Sequence, residues 1–195
     1  TGPTATLPPI QAGKGIWISK EEIMRLDNSG GAWDKVVADA NKTGETAKLN
    51  QNNSEHDVYT LAKALVAVRN NDNEMRKETL KGINSAMGSS LSSTLELGRG
   101  LQTYIIAADI IGLNESETPK KSVFQKWIRE TINRTDIKGR EGKGLCNNAE
   151  KDSSNWGGHE RASCIAAALY LNDTTLLNKM VRAHKEFIGE DVSPK

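Results

Sequence analysis

Apolar residues recur at every third or fourth position along almost the whole chain, a spacing that gathers them on one face of an α-helix and scatters them over both faces of a strand. Ser19 and Glu22 form a capping-box pattern ahead of Ile23 and Leu26. Gly30 and Gly31 punctuate before a short helix from Ala32 to Ala40, with Trp33, Val36 and Val37 on one side. Ser54 and Asp57 read as a second box-like start, followed by Val58, Leu61, Ala62, Leu65 and Val66. Asp72 suits the N-cap of a helix carrying Met75, Leu80, Ile83 and Met87. A Gly-Ser-rich turn from Gly88 to Ser93 then leads into a long helix with Leu101, Tyr104, Ile105 and Ala108 on one face. Thr118-Pro119 reads as an N-cap and N1 pair before Val123, Phe124, Trp127 and Ile128. Ala162, Ile165, Ala166 and Leu169 mark a helix that starts near Asn155. Asp173 caps the last one, with Leu177, Met180, Val181, His184 and Ile188 on its expected buried side. No segment alternates with period two. The expected fold class is therefore all-α, built from consecutive antiparallel helical hairpins on short turns. Residues Asn133 to Ser154 lack a period and read as a long loop, and loops of that length are often functional.

Composition narrows the functions open to such a chain. Its 195 residues suffice for one domain with a real core, or for part of a larger one. Lys plus Arg number 26 against 25 Asp plus Glu, and a net charge of +1 argues against a nucleic-acid binder that works by counterion release. The longest apolar stretch, Tyr104 to Leu113, carries Asp109 and is too short for a membrane span. Residues 1–15 read as an extended leader or linker, with Thr1 to Pro9 as its core, and residues 16–195 as the folded domain. Asn-x-Ser/Thr sequons at Asn41, Asn52, Asn114, Asn133 and Asn172 favour a secreted, extracellular protein. Cys146 and Cys164 are the only cysteines; a disulfide between them would close a modest loop, and two free buried thiols fit the sequence equally well.

The stretch richest in chemistry runs from Ser154 through Asn155, Trp156, Gly157, Gly158, His159 and Glu160 to Asp173. Asn155 and His159 are four apart and share a helix face. The two glycines between them weaken the helix but let a bulky ligand approach its backbone. A histidine in the first helical turn lies at the positive end of the dipole, which disfavours the imidazolium and leaves the neutral form that a general base requires. The plainer alternative is that Asn155 is an N-cap and His159 a helix-surface residue.

The segment Asn155 to Asp173 (NWGGHERASCIAAALYLND) resembles the Asn-Trp-Gly…His pattern of alginate-lyase-like proteins, polysaccharide lyases with an α/α toroid fold. Similarity extends upstream. Ile16 to Leu26 with Trp33 resembles the family's entry segment, His56 to Arg69 its first long helix, and Leu95 to Leu113 the helix that begins with a Gly-Arg turn. The resemblance implies an incomplete α/α toroid, an arc needing a further segment, a partner chain or another copy to close it. It also implies β-elimination of a uronic-acid-containing anionic polysaccharide, without a metal or other cofactor. On that basis Asn155 neutralises the substrate carboxylate, His159 removes the C5 proton, and Arg99, Gln102, Trp156, Tyr104 and His56 bind substrate. The pattern departs from the family at the proton donor: Tyr59, Tyr104 and Tyr170 are the only tyrosines, and none lies in a matching motif. The alternative is a non-catalytic helical module that binds glycan or builds a surface or filament assembly through its open end.

Other features carry less. Gly139 to Gly144 (GREGKG) lacks the trailing Lys-Ser/Thr of a phosphate loop and reads as a solvated loop able to brush an anionic glycan. Histidines and cysteines show no metal-ligand spacing. His184 falls on an apolar stripe, as a core histidine would, and Asp109 reads as a hydrogen-bonding group on its helix face. His56-Asp57 can orient a substrate group, and Asp57 also fits a helix-start charge.

Overall fold

A computed structural model describes residues 13–190, so the expected leader over Thr1 to Pro9 lies outside the described residues. The described residues hold α1 (Lys20–Arg25), α2 (Gly31–Ala40), α3 (His56–Asn70), α4 (Asn73–Met87), α5 (Thr94–Ile110), α6 (Lys121–Ile132), α7 (Leu145–Lys151), α8 (Asn155–Leu171) and α9 (Thr174–Phe187). Among them the only β-type pairings are isolated bridges of Lys138 to Ser93 and Lys143. The all-α expectation holds.

Two hairpins use the same turn chemistry. Asn71 and Asn172 end α3 and α8 in the left-handed conformation, which Asn tolerates better than most residues. The next residue, Asp72 or Asp173, then accepts backbone N–H groups at the start of α4 or α9. Gly82 of α4 packs on Thr60 of α3, where an added Cβ would meet the threonine side chain. The early expectation of a capping box at Ser19–Glu22 also holds, with both reciprocal bonds present.

Direction follows from the contacts. Gly98 and Glu160 meet near the starts of α5 and α8, and Lys14 bridges their ends: its backbone N–H donates to Asp109 while its ammonium donates to Leu169 O, Tyr170 O and Asn172 Oδ1. These two helices therefore run parallel. Their partner α3 runs the same way, since His56 at its start reaches Tyr104 and Arg76, just past its end, donates to Ile111 O. Both α4 and α9 return in the opposite sense. The main core lies between these layers, with Leu97, Leu101, Tyr104, Ile105, Phe124, Ile128, Leu145 and Met180 buried.

Several local readings need correction. No side chain caps α3: Ser54 and Asp57 do not form a box, and Glu55 occupies the N-cap position. Thr118-Pro119 is a cis peptide, and α6 starts two residues later with Lys120 as its N-cap, so the pair is not the N-cap and N1. The supposed loop from Asn133 to Ser154 contains α7, whose Cys146 is bonded to Cys164 of α8. On α9 the buried residues are Met180 and Ala183, with Val181 and Ile188 exposed; His184 is exposed and stacks beside Phe187. The seam is rotated because α9 covers α8 and α7 from one side only: Leu176 packs beside Met180 on the core, while Val181 looks outward.

The disulfide joins residues separated by 18 in sequence. Reduction, or a double Cys146→Ala, Cys164→Ala substitution, is expected to lower the unfolding free energy by about 3 kcal/mol, measured by urea denaturation with and without reductant.

Candidate functional site

The candidate site rests on the crossing of α5 with α8. Both helices must approach closely, and Gly98 permits it: a Cβ there would lie 3.0 Å from Glu160 Cα. Ser163 then inserts its hydroxyl into the α5 ladder, donating to Gly98 O at 2.7 Å and accepting from Gln102 N at 2.9 Å. This pins the register of the two helices at the point where Arg99 leaves α5 and His159 leaves α8.

On the solvent side of that crossing, Arg99 is exposed and donates from Nη1 to Asn52 O at 2.7 Å. It borders a groove of about 350 Å³ whose walls include Gln51, Asn52, Asp57, Glu96 and Tyr104. His159 is half-buried, and partial burial, aided by the nearby Arg99 charge, holds its imidazole below the ordinary histidine range. Asp57 across the groove is pushed up by burial, while Thr103 and Arg99 pull it back. Arg99 thus acts on both an acid of α3 and a base of α8. Gln102, half-buried one turn on, donates weakly back to Arg99 O at 3.4 Å.

Asn155 is exposed at the first position of α8; the N-cap is Ser154, which accepts from Trp156 N, so the plainer N-cap role for Asn155 is excluded. The two glycines after Trp156 do different jobs. A Cβ on Gly157 would overlap the Asp152 carbonyl oxygen, whereas Gly158 has nothing within 4 Å of an added Cβ. Only Gly158 leaves open space near Asn155 and His159. Expected outcomes follow: Gly158→Ala gains about 0.5–1 kcal/mol of stability from helix propensity, while Gly157→Ala is strongly destabilising, both read from urea midpoints.

The tyrosines stand away from this face. Tyr104 is buried, and its hydroxyl pairs with His56 Nδ1 at 2.8 Å. Burial pushes the Tyr104 phenol up and, with Lys63 adding repulsion, the His56 imidazole down. These two expected substrate binders are joined to each other, Tyr104 in the groove wall and His56 against a neighbouring groove that Lys63 also lines. Tyr59 donates to Glu55, which pushes its phenol up to about 12, and Tyr170 is buried toward the far end of α8. Asp109 is a hydrogen-bonding group on its helix face, as expected: its carboxylate accepts backbone N–H groups of Lys14, Gly15 and Ile16, fastening the entry segment to α5.

The lowered His56 value has a sign. An unfolded histidine protonates near pH 6.5 and the folded one only below that, so stability is lost as pH falls from 6.5 through the folded value. Urea unfolding at about pH 7.5 and about pH 5 is expected to show a smaller acid loss in His56→Gln than in the native chain.

Sequence reasoning missed the turn that flanks α8. Gly139 N donates to Gly142 O, Gly144 N to Ile137 O, and Glu141 N to Asn148 Oδ1 at 2.7 Å. Asn148, fully buried on α7, donates in turn to buried Glu160 at 2.6 Å. Burial pushes the Glu160 carboxyl up, against the opposing pull of Thr94 and Asn148. Arg140, on this turn, places its guanidinium 5.6 Å from the centroid of the Trp156 ring. The one available signal was Glu160, Arg161 and Ser163 interrupting an otherwise apolar helix. Such groups are buried only when something uses them.

Among the described residues no group of three or more His, Cys, Asp or Glu is placed to hold a metal ion. No helix of the described chain is long and apolar enough to cross a membrane. No protein-family model, curated protein or solved structure matches the chain.

Proposed function

We propose that this domain acts on uronic-acid-containing polysaccharide as a lyase, with the chemistry on the Asn155/His159 face of α8. The observation that carries the reading is Arg99: an exposed guanidinium borders a groove on one side and, on the other, adds to the effect of burial in lowering a half-buried imidazole. A cation that binds the carboxylate also keeps the neighbouring base neutral. In β-elimination His159 would take the C5 proton, the electron pair would form the C4–C5 double bond, and the C4–O bond would break with protonation of the departing oxygen. Asn155 would donate to the carboxylate as its charge grows in the enolate-like state.

Parallel α3, α5 and α8 with returning α4 and α9 fit the inner and outer staves of an α/α toroid arc, closed in this reading by a further segment, a partner chain or another copy. The disulfide and the exposed sequon residues Asn41, Asn52, Asn133 and Asn172 support an extracellular setting.

A second reading has its own observation. Tyr104 and Tyr59 hydroxyls are engaged elsewhere and Tyr170 lies toward the far end of α8, which favours a module that holds the glycan without cutting it. Incubation with alginate and polyglucuronate, following absorbance of the unsaturated product, separates the two. For the lyase, His159→Ala is expected to lower kcat by about 10²–10⁴. Asn155→Ala should lower it by about 10²–10³, and Arg99→Ala should chiefly raise KM. Full turnover in His159→Ala would overturn the base assignment, and binding without product would establish the second reading.

A further inference from the structure

Arg140 is placed by a costly piece of construction. A carboxylate and a carboxamide are fully buried, Glu160 on α8 and Asn148 on α7, and burial of such groups is unfavourable unless their bonds are used. Their chain of bonds ends on Glu141 N, and a Cβ on Gly139 would collide with the Asn148 side chain. The residues on either side of Arg140 are therefore both held against α7. The disulfide holds α7 against α8 in its turn.

What this frame presents is a guanidinium lying over Trp156, one residue from Asn155. An arginine stacked on an indole keeps its N–H edge turned outward and loses little freedom when that edge binds a carboxylate. Trp156 is thereby the shelf for Arg140 rather than a ring free to take a sugar face. The turn also carries exposed Lys138 and Lys143 against Glu141, and Asp152 lies within reach of the Arg140 charge, so a chain of net charge +1 keeps a local excess of positive charge here. Arg99, on α5, acts on His159.

We propose that Arg140 is a second carboxylate-binding residue, so that the ligand carries at least two acid groups rather than one isolated uronate. This rests on the uronate reading above and narrows it to a ligand that offers more than one carboxylate to the same face.

The test is calorimetric binding of a size series of oligouronates from the disaccharide upward. The full chain is used in a His159→Ala background so that ligand is not consumed, with Arg140→Ala, Arg140→Lys and Trp156→Phe added in turn. Arg140→Ala is expected to weaken the oligomers about tenfold and to leave the single uronic acid, tested as the one-carboxylate control, unchanged. Arg140→Lys should recover part of that loss, and Trp156→Phe should cost less than Arg140→Ala. Equal affinity of the reference and Arg140→Ala for every length would overturn the second site while leaving the uronate reading intact. A reference chain that binds no oligouronate would sink both.

Discussion

The contact on which the rest depends is the parallel crossing of α5 and α8. Gly98 brings the backbones together, and Ser163 threads its hydroxyl between Gly98 O and Gln102 N. A side chain inserted into a helical ladder fixes translation and rotation at once, because it must satisfy a carbonyl and an amide one turn apart. Since Arg99 and His159 each neighbour a residue of that contact, their relation is set by it. A slip of one residue along either helix would turn one of them away.

Buried polar groups perform a second task around the same crossing. Glu160 and Asn148 hold the turn of Arg140, and Arg161 donates from Nη1 to Ala149 O and Asp152 O at the end of α7 while Phe187 of α9 covers its guanidinium. Helix α8 thus has few purely apolar neighbours along its first turns. Its second half, from Cys164 onward, is alanine-rich and packs against α5 and α9 in the ordinary way. The division is physical: a polar framework orients the functional face, and an apolar one holds the hairpins together.

Much of the helix plan was legible from periodicity. Caps at Ser19, Asp72 and Asp173 sit where their residue types place them, because an oxygen near free backbone N–H groups is a local matter. Failures fell where tertiary contacts overrode local preference. His184 lies on an apolar stripe yet is exposed, since α9 has neighbours on one side only. The hydrogen-bonding role of Asp109 was legible, but its partners, almost a hundred residues earlier in the chain, were not. Glu160 and Arg161, next to His159 in the chain, lie under the surface, which no spacing marks.

By itself the sequence determined that the chain would be helical, where most helices begin, and that Asn155 and His159 would share a face, because those properties depend on spacings of a few residues. Tertiary structure alone decided that Arg99 of α5 would stand near His159 of α8, that His56 and Tyr104 would bond to each other, and that Arg140 would lie on Trp156. Each of these pairs joins different elements, and their separation in space is set by how closely the backbones can approach and which buried groups must be satisfied. Such constraints act between elements and leave no periodic mark on the chain.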